Sequence, residues 1–155
     1  EDLNMEELCA SINERTKIVA VAHASNVLGC INPIAEIAQL ARKVGAMLVV
    51  DASQTAAHVK VDIQELGCDF LVASAHKVRT TRPRAHPRHH HAQNPLLLLF
   101  QMYGPTGIGA LCAKKHLLEQ MPPLVTGGGM VDWVEEDKAT FSAVPQKFEA
   151  GVCCA

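Results

Sequence analysis

The sequence has 155 residues, of which 48% are apolar and 4% aromatic, and its formal charge is -2. This length fits one ordinary domain or part of a larger one, with enough apolar residues for a substantial core. The charge balance offers no basic excess to attract nucleic acid, and the apolar runs are far too short to cross a membrane. With so few aromatic residues, the core must consist of Ala, Val, Leu and Ile, which is typical of α/β proteins.

The cysteines and the chain ends bear on where the protein works. The six cysteines are scattered without a C-x-x-C or other paired ligand spacing, which favours buried thiols in a reducing compartment. The sequence starts at Glu1 without a recognisable targeting segment and stops abruptly after Gly151. We therefore expect an internal fragment of a longer protein, and the localisation stays unknown.

Apolar periodicity predicts alternating helices and strands. Pro33 stands where a helix begins and Gly45 where it ends, with apolar residues at intervals of three and four between them. The segment 17–24 is apolar at successive positions, as in a strand buried on both faces. Beyond Gly127 we expect only loops and weak strands. The predicted helices are 1–14, 33–44, 61–66 and 114–120, and the predicted strands are 17–24, 46–50, 70–73 and 108–113.

Three of the predicted strands are joined through helices, which makes a βαβαβ arrangement. The fold class is therefore α/β with a mostly parallel sheet. Ligands bind beyond the carboxyl ends of the strands in such sheets. The polar residues at those ends are Ser25 and Asn26, Asp51 and Gln54, and Ser74, His76 and Lys77.

Lys77 follows His76 at the end of an apolar strand and is a candidate nucleophilic amine. A lysine that forms a Schiff base must be kept partly uncharged by burial or by neighbouring positive charge. Asp51, one strand earlier, offers the carboxylate that a pyridoxal phosphate ring needs beside its nitrogen. Alternatively, Lys77 is an ordinary surface lysine and Asp51 caps a turn.

The composition changes abruptly over residues 78–101. This stretch holds four of the six arginines, four of the eight histidines, three prolines and no acid, which gives a local charge of +4. We interpret it as an atypical insertion, either a translated intron or a lineage-specific loop, and expect it to be disordered. Its histidine run, His86 to His91, lacks the ligand spacing of a zinc site, so we predict no metal.

Ordered motifs lie on both sides of this insertion. They are the string from His23 to Lys77, then MYGPTGIGALCAKKHLLEQMPP, then KFEAG. Together they resemble the class V aminotransferase family of fold type I, and within it the SufS-like (group II) cysteine desulfurases. Group I members usually have NNEIG where this chain has SNVLG, and GPKG where it has GPTG. The resemblance implies that residues 1–155 are the central part of a fold type I large domain, a three-layer α/β sandwich.

The resemblance also implies roles for the residues at the strand ends. In such a protein they would hold pyridoxal phosphate: Lys77 through its amine, Asp51 at the ring nitrogen, Gln54 and Asn26 against the ring and its hydroxyl, and Ser74 and His76 at the phosphate.

By the same resemblance the protein is a pyridoxal-phosphate-dependent transferase, a cysteine desulfurase. It would convert cysteine to alanine and keep the sulfur as an enzyme persulfide for iron-sulfur cluster assembly. The family's sulfur-accepting cysteine, carboxylate-binding arginine and ring-stacking histidine match no residue of this sequence, so we expect the chain itself to be inactive. The alternatives are another class V enzyme, of aminotransferase or selenocysteine lyase type, and a non-enzymatic remnant.

The partners implied by the resemblance are L-cysteine as substrate, a second copy in a homodimer, and a sulfur-acceptor protein of the SufE type. We expect no nucleic acid and no membrane partner. The compartment would be the plastid if the source is eukaryotic and the cytoplasm if it is bacterial.

Overall fold

The computed structural model describes residues 3–56, 58–77 and 107–151. Every helix and strand predicted up to residue 120 is present, with bounds that differ by a few residues. In chain order the elements are α1 (Met5–Ser11), β1 (Ile18–Ala22), α2 (Ile34–Lys43), β2 (Met47–Asp51), α3 (Ile63–Leu66), β3 (Phe70–Ser74), a 3-10 turn (Ala75–Lys77), β4 (Gly109–Ala113), α4 (Lys115–Gln120), β5 (Val131–Val134), β6 (Ala139–Phe141) and a second 3-10 turn (Gln146–Phe148).

The structure has two compact units, one ending at Cys112 and one beginning at Ala113. The predicted single domain over 1–155 stays a prediction. In the first unit β1, β2, β3 and β4 lie side by side in this order. β1 pairs with β2 and β2 with β3, both in parallel. Their carboxyl ends therefore meet at one edge, where Ala22 lies beside Asp51 and Asp51 beside Val72.

The core of the first unit lies between α2 and one face of the sheet. Pro33 is the N-cap residue of α2. Gly45 follows the end of the helix with a φ of 72°, and glycine is the usual residue in this left-handed conformation after a helix. The apolar stripe of α2 then faces alternate residues of the strands. The buried residues that form this core include Ile34, Ile37, Ala38 and Ala41 from α2, and Val19, Leu48, Val50 and Leu71 from the sheet.

The opposite face of the sheet is exposed along β1 and β4 among the described residues, whereas Phe70 of β3 is buried there. Ile18 is 56% exposed and Leu111 is 49% exposed, and β1 alternates between exposed and buried positions. The prediction that β1 is buried on both faces is therefore wrong for this part of the chain. In the first unit α1, α2 and α3 pack against the core face of the sheet, so its described residues form two of the three predicted layers.

The second unit contains a hairpin that the sequence did not predict. β5 and β6 pair antiparallel with an irregularity between Val131 and Trp133. Met130, just before β5, is completely buried, and its carbonyl accepts a hydrogen bond from the backbone N–H of Ser142 at 2.9 Å. The segment after Gly127, where the sequence indicates only loops and weak strands, therefore forms a paired hairpin.

The insertion predicted at 78–101 lies outside the described residues, as do Cys153 and Cys154. Cys68 is buried but Cys9 is exposed, so the prediction of buried thiols is wrong for Cys9. Among the helices of the described residues, none combines the length and the apolar character needed to cross a membrane.

Candidate active site

A cleft of about 400 Å³ opens where the carboxyl ends of β1, β2 and β3 meet. This is the position at which parallel α/β sheets bind ligands. Four of the six predicted cofactor-binding residues line it. The lining residues are Ala22, Ala24, Ser25, Asn26, Asn32, Asp51, Ser53, Gln54 and Lys77.

Asp51 both caps a turn and lines the cleft. Its Oδ1 accepts a hydrogen bond from the backbone N–H of Ser53 at 2.8 Å, as in an Asx turn. No hydrogen bond to Oδ2 is found among the described residues. The second carboxylate oxygen is thus available to a ligand.

Asn26 lies in a tight loop between β1 and α2. The hydroxyl of Ser25 accepts hydrogen bonds from the N–H groups of Val27 and Leu28 at 3.3 and 3.1 Å. The backbone N–H of Ser25 donates to the carbonyl of Cys30 at 3.0 Å, and Gly29 N–H donates to the carbonyl of Ser25 at 3.1 Å. These bonds close the loop, and Asn26 is exposed at its tip, on the cleft.

Ser74, predicted at the phosphate, is not among the residues that line the cleft. It is half-buried, and its hydroxyl lies 3.2 Å from the hydroxyl of Ser53. The backbone N–H of Ser74 also donates to the Ser53 hydroxyl, at 3.2 Å. Ser74 therefore reaches the cleft wall only through Ser53, which is 6% exposed.

The two predicted site residues after β3 differ in whether they line the cleft. Lys77 is half-buried and lines the cleft, whereas His76 is exposed and does not line it. Both belong to the 3-10 turn, whose first N–H, of Ala75, donates to the carbonyl of Ile108 at 2.9 Å. The cleft thus gathers Asn26, Asp51, Gln54 and Lys77 but not Ser74 or His76.

Sequence reasoning missed several residues of the site. Ser53 and Asn32 line the cleft, while His23 and Thr55 are buried immediately behind it. Ser53 could have been found from its position two residues after Asp51, because an Asp side chain in an Asx turn bonds to the backbone two residues further on. Asn32 precedes Pro33, and its side-chain amide donates to the carbonyl of Ala22 at 2.8 Å.

The mouth of the site has an apolar side. A shallow depression of about 450 Å³ shares Ser25, Asn26 and Gln54 with the cleft region. The side chains of Val27 and Leu28 on its rim are 82% and 61% exposed. The loop after β1 therefore presents polar atoms to the cleft and apolar side chains to its surroundings.

The chemistry of the cleft residues fits pyridoxal phosphate. This cofactor presents an aldehyde, a basic ring nitrogen, a ring hydroxyl and a phosphate. The cleft offers a primary amine at Lys77, a carboxylate with an available oxygen at Asp51, and side-chain amides at Asn26 and Gln54. Its volume lies within the range of about 300 to 1,000 Å³ that small-molecule sites occupy. Among the described residues, no cluster of three acidic, histidine or cysteine side chains that would hold a metal ion is present.

Comparison with known proteins identifies the family. The model of the aminotransferase class-V family matches residues 1–81 and 100–153. The chain is 44% identical over 149 residues to a probable cysteine desulfurase of Halalkalibacterium halodurans, and 42% identical over 151 residues to one of Synechocystis sp.. The alignments cover 96% and 97% of this chain but 31% and 30% of those relatives. The chain thus spans about a third of the length of the curated relatives that it matches.

The structure agrees with the sequence comparison. It resembles the crystal structure of the cysteine desulfurase CsdA from Escherichia coli with a TM-score of 0.77 at 34% identity, over 96% of this chain and 31% of that one. The predicted α/β fold of type I with a mostly parallel sheet is confirmed. The chain belongs to the aminotransferase class-V family, whose members are pyridoxal-phosphate-dependent enzymes.

Proposed function

We propose that this chain is the cofactor-binding part of a pyridoxal-phosphate-dependent cysteine desulfurase. The observation that carries the proposal is the meeting of Asn26, Asp51, Gln54 and Lys77 in one cleft at the ends of three adjacent parallel strands. The relatives with 42 to 44% identity are named as probable cysteine desulfurases, which favours cysteine as the substrate.

Four of the residues that line the cleft have tasks that their chemistry allows. Bound pyridoxal phosphate withdraws electrons from the α-carbon of an amino acid. The amine of Lys77 would hold the cofactor through a covalent link, and the same amine, released when the substrate amine takes its place, would then move the α-proton. The carboxylate of Asp51 would keep the ring nitrogen protonated. Asn26 and Gln54 would orient the ring by hydrogen bonds to its hydroxyl and by contact with its face.

The phosphate group of the cofactor needs hydrogen-bond donors of its own. Ser74 and His76 were predicted there, and neither lines the cleft. Ser53 lies between Ser74 and the cleft, with its hydroxyl 3.2 Å from that of Ser74. On the resemblance of the motifs we assign the phosphate contact to Ser74 and His76, and the Ser53 hydroxyl holds the Ser74 backbone by accepting its N–H bond.

The remaining parts of the proposal rest on the resemblance of the motifs. The SNVLG and GPTG strings favour a SufS-like, group II enzyme that delivers persulfide sulfur to an acceptor of the SufE type. A homodimer is proposed on the same ground. The sulfur-accepting cysteine belongs to the parts of the relatives that this chain does not span.

Covalent trapping tests the cofactor assignment. The 155-residue chain is mixed with pyridoxal phosphate, reduced with borohydride and mapped by peptide mass spectrometry. The expected result is one pyridoxyl group on Lys77. Lys77→Ala should abolish it, whereas Lys60→Ala should not, since Lys60 is exposed and 3.7 Å from Glu65. Labelling spread over surface lysines and unchanged by Lys77→Ala would overturn the assignment.

Substrate choice needs a second measurement. A version extended at both ends to the length of the relatives is offered L-cysteine, L-selenocysteine and common transamination donors. Alanine and sulfide release from cysteine is the expected result. Keto-acid formation from other amino acids without sulfide would instead favour another class V activity, and no reaction with any of them would favour a non-enzymatic remnant.

A further inference from the structure

His23 is a buried histidine directly beyond the end of β1. Its side chain is 7% exposed, and burial lowers the pKa of its imidazole below the ordinary value. A neutral ring in such a position needs hydrogen-bond partners, because an unpaired buried polar group is costly. The hydrogen-bond partners of His23 therefore identify the segments to which its side chain is tied.

The ring of His23 is paired with Thr55, which lies in the turn after β2. Its Nδ1 is 2.9 Å from the Thr55 hydroxyl, and that hydroxyl is also 3.3 Å from the carbonyl of Ala52. Thr55 is 3% exposed. The hydroxyl donates to Ala52 when Nδ1 carries the proton, and to Nδ1 when it does not, so either neutral tautomer satisfies the pair.

The backbone of His23 joins two more segments. Its N–H donates to the carbonyl of Asp51 at 2.8 Å, and its carbonyl accepts from the N–H of Asn32 at 2.9 Å. One residue is thus bonded to the end of β2, to the turn that follows β2, and to the far end of the loop that carries Asn26. All three segments contribute residues to the cleft.

The Thr55 contact acts on the turn that presents the ligand-facing residues. Gln54 lines the cleft and is adjacent to Thr55, while Asp51 caps the same turn through the N–H of Ser53. With the hydroxyl of Thr55 held by His23, the turn has a fixed relation to β1. Without it, the turn keeps its local bonds and the backbone bond from His23 to Asp51, but loses its side-chain tie to His23.

We propose that His23 is a positioning residue that acts through Thr55 to hold Asp51 and Gln54 against Asn26 across the cleft. The inference rests on the proposed function for the identity of the ligand, pyridoxal phosphate. It assigns His23 no contact with that ligand, because His23 is not among the residues that line the cleft.

Matched substitutions test the pair in the 155-residue chain. His23→Leu and Thr55→Val remove the hydrogen bond, whereas His23→Asn and Thr55→Ser keep a polar atom near the same place. The Kd for pyridoxal phosphate, measured by absorbance titration, should rise about tenfold in the first two and stay within about twofold in the others. The double variant His23→Leu/Thr55→Val should bind no worse than either single variant, since the two act as one unit.

A stability control separates positioning from general weakening. Ile37→Val trims a completely buried core residue of α2 that does not line the cleft. It should lower the melting temperature and leave the Kd unchanged. If Ile37→Val weakens cofactor binding as much as Thr55→Val at equal loss of stability, or if Thr55→Val leaves the Kd unchanged, the positioning role is overturned.

A measurement without cofactor keeps this inference separate from the proposed function. Amide hydrogen exchange in Thr55→Val should rise at residues 51–56 and 24–32 and not in α2. That local pattern supports the role of His23 even if the chain binds no pyridoxal phosphate, a result that would overturn the proposed function alone. A rise spread evenly over the chain, or no rise in either segment, would overturn the role of His23.

Discussion

The carboxylate of Asp51 accepts a hydrogen bond from the N–H of Ser53 at 2.8 Å through one oxygen only. This relationship lets one side chain shape the turn after β2 and still face the cleft with its second oxygen. The two tasks can be separated experimentally, because they use different atoms.

Asp51→Asn should lower the affinity for pyridoxal phosphate and leave the fold intact. The amide oxygen can still accept from Ser53, but the charge beside the ring nitrogen is lost. A hydrogen bond to a charged group is worth about 1.5 to 3 kcal/mol, so the Kd should rise at least about tenfold. Asp51→Ala should also lower the free energy of unfolding, by about 1 kcal/mol. Equal stability of the two variants in urea would contradict this division.

Gly109→Ala should destabilise the sheet. A Cβ at Gly109 would lie 2.9 Å from the carbonyl oxygen of Ala73, a backbone atom of the neighbouring strand β3. Overpacking of this kind costs about 1 to 3 kcal/mol. Gly128→Ala is the control, because a Cβ there meets nothing within 4 Å. Thermal unfolding of both variants measures the difference, and similar melting temperatures would show that β3 and β4 can move apart without cost.

Stability should fall in mildly acidic solution because of His23. Burial lowers its pKa in the folded chain, while in the unfolded chain it titrates at about 6.5. Between these values the unfolded chain binds more protons, so the free energy of unfolding rises with pH through this window. The stabilisation is complete above about pH 6.5 and is lost as pH falls to the folded value. Urea unfolding from about pH 5 to pH 8 should give a shallower pH dependence for His23→Asn; identical slopes would contradict the prediction.

Deleting residues 78–101 should improve cofactor retention. The stretch carries a local charge of +4 and three prolines, and it begins directly after Lys77. The family match is interrupted over nearly the same stretch, between residues 81 and 100. Joining Lys77 to Met102 should therefore lower the Kd for pyridoxal phosphate and raise the melting temperature. A lower melting temperature with unchanged retention would mean that the stretch is a working part of the fold.

The 155-residue chain alone should show no cysteine desulfurase turnover. Sulfur transfer needs a thiolate within attacking distance of the substrate sulfur. Of the cysteines that the structure describes, none lines the cleft; Cys68 is buried, and burial raises the pKa of the Cys112 thiol. Alanine formation from cysteine is the readout. Activity that disappears in a Cys153→Ser/Cys154→Ser variant would contradict the prediction and make the terminal pair the sulfur acceptor.

The sequence predicted the strand ends that form the cleft, but not which of the residues after β3 line it. Asp51 and Lys77 follow apolar runs, and parallel strands bring their carboxyl ends to one edge. Ser74 and His76 follow the same strand as Lys77, yet they do not line the cleft. The 3-10 turn rotates successive residues to different sides, and its direction is set by the bond from Ala75 to Ile108, a residue far along the chain.

By itself, the sequence determined the order of helices and strands through residue 120, the parallel sheet and the family. These follow from the spacing of apolar residues and from ordered motifs, which are both local properties of the chain. Only the tertiary structure decided which face of β1 is covered, since α2 packs on one side and leaves Ile18 exposed. It also decided that His23 and Thr55 meet, 32 residues apart. Such contacts depend on the register between strands, which no stretch of the chain encodes alone.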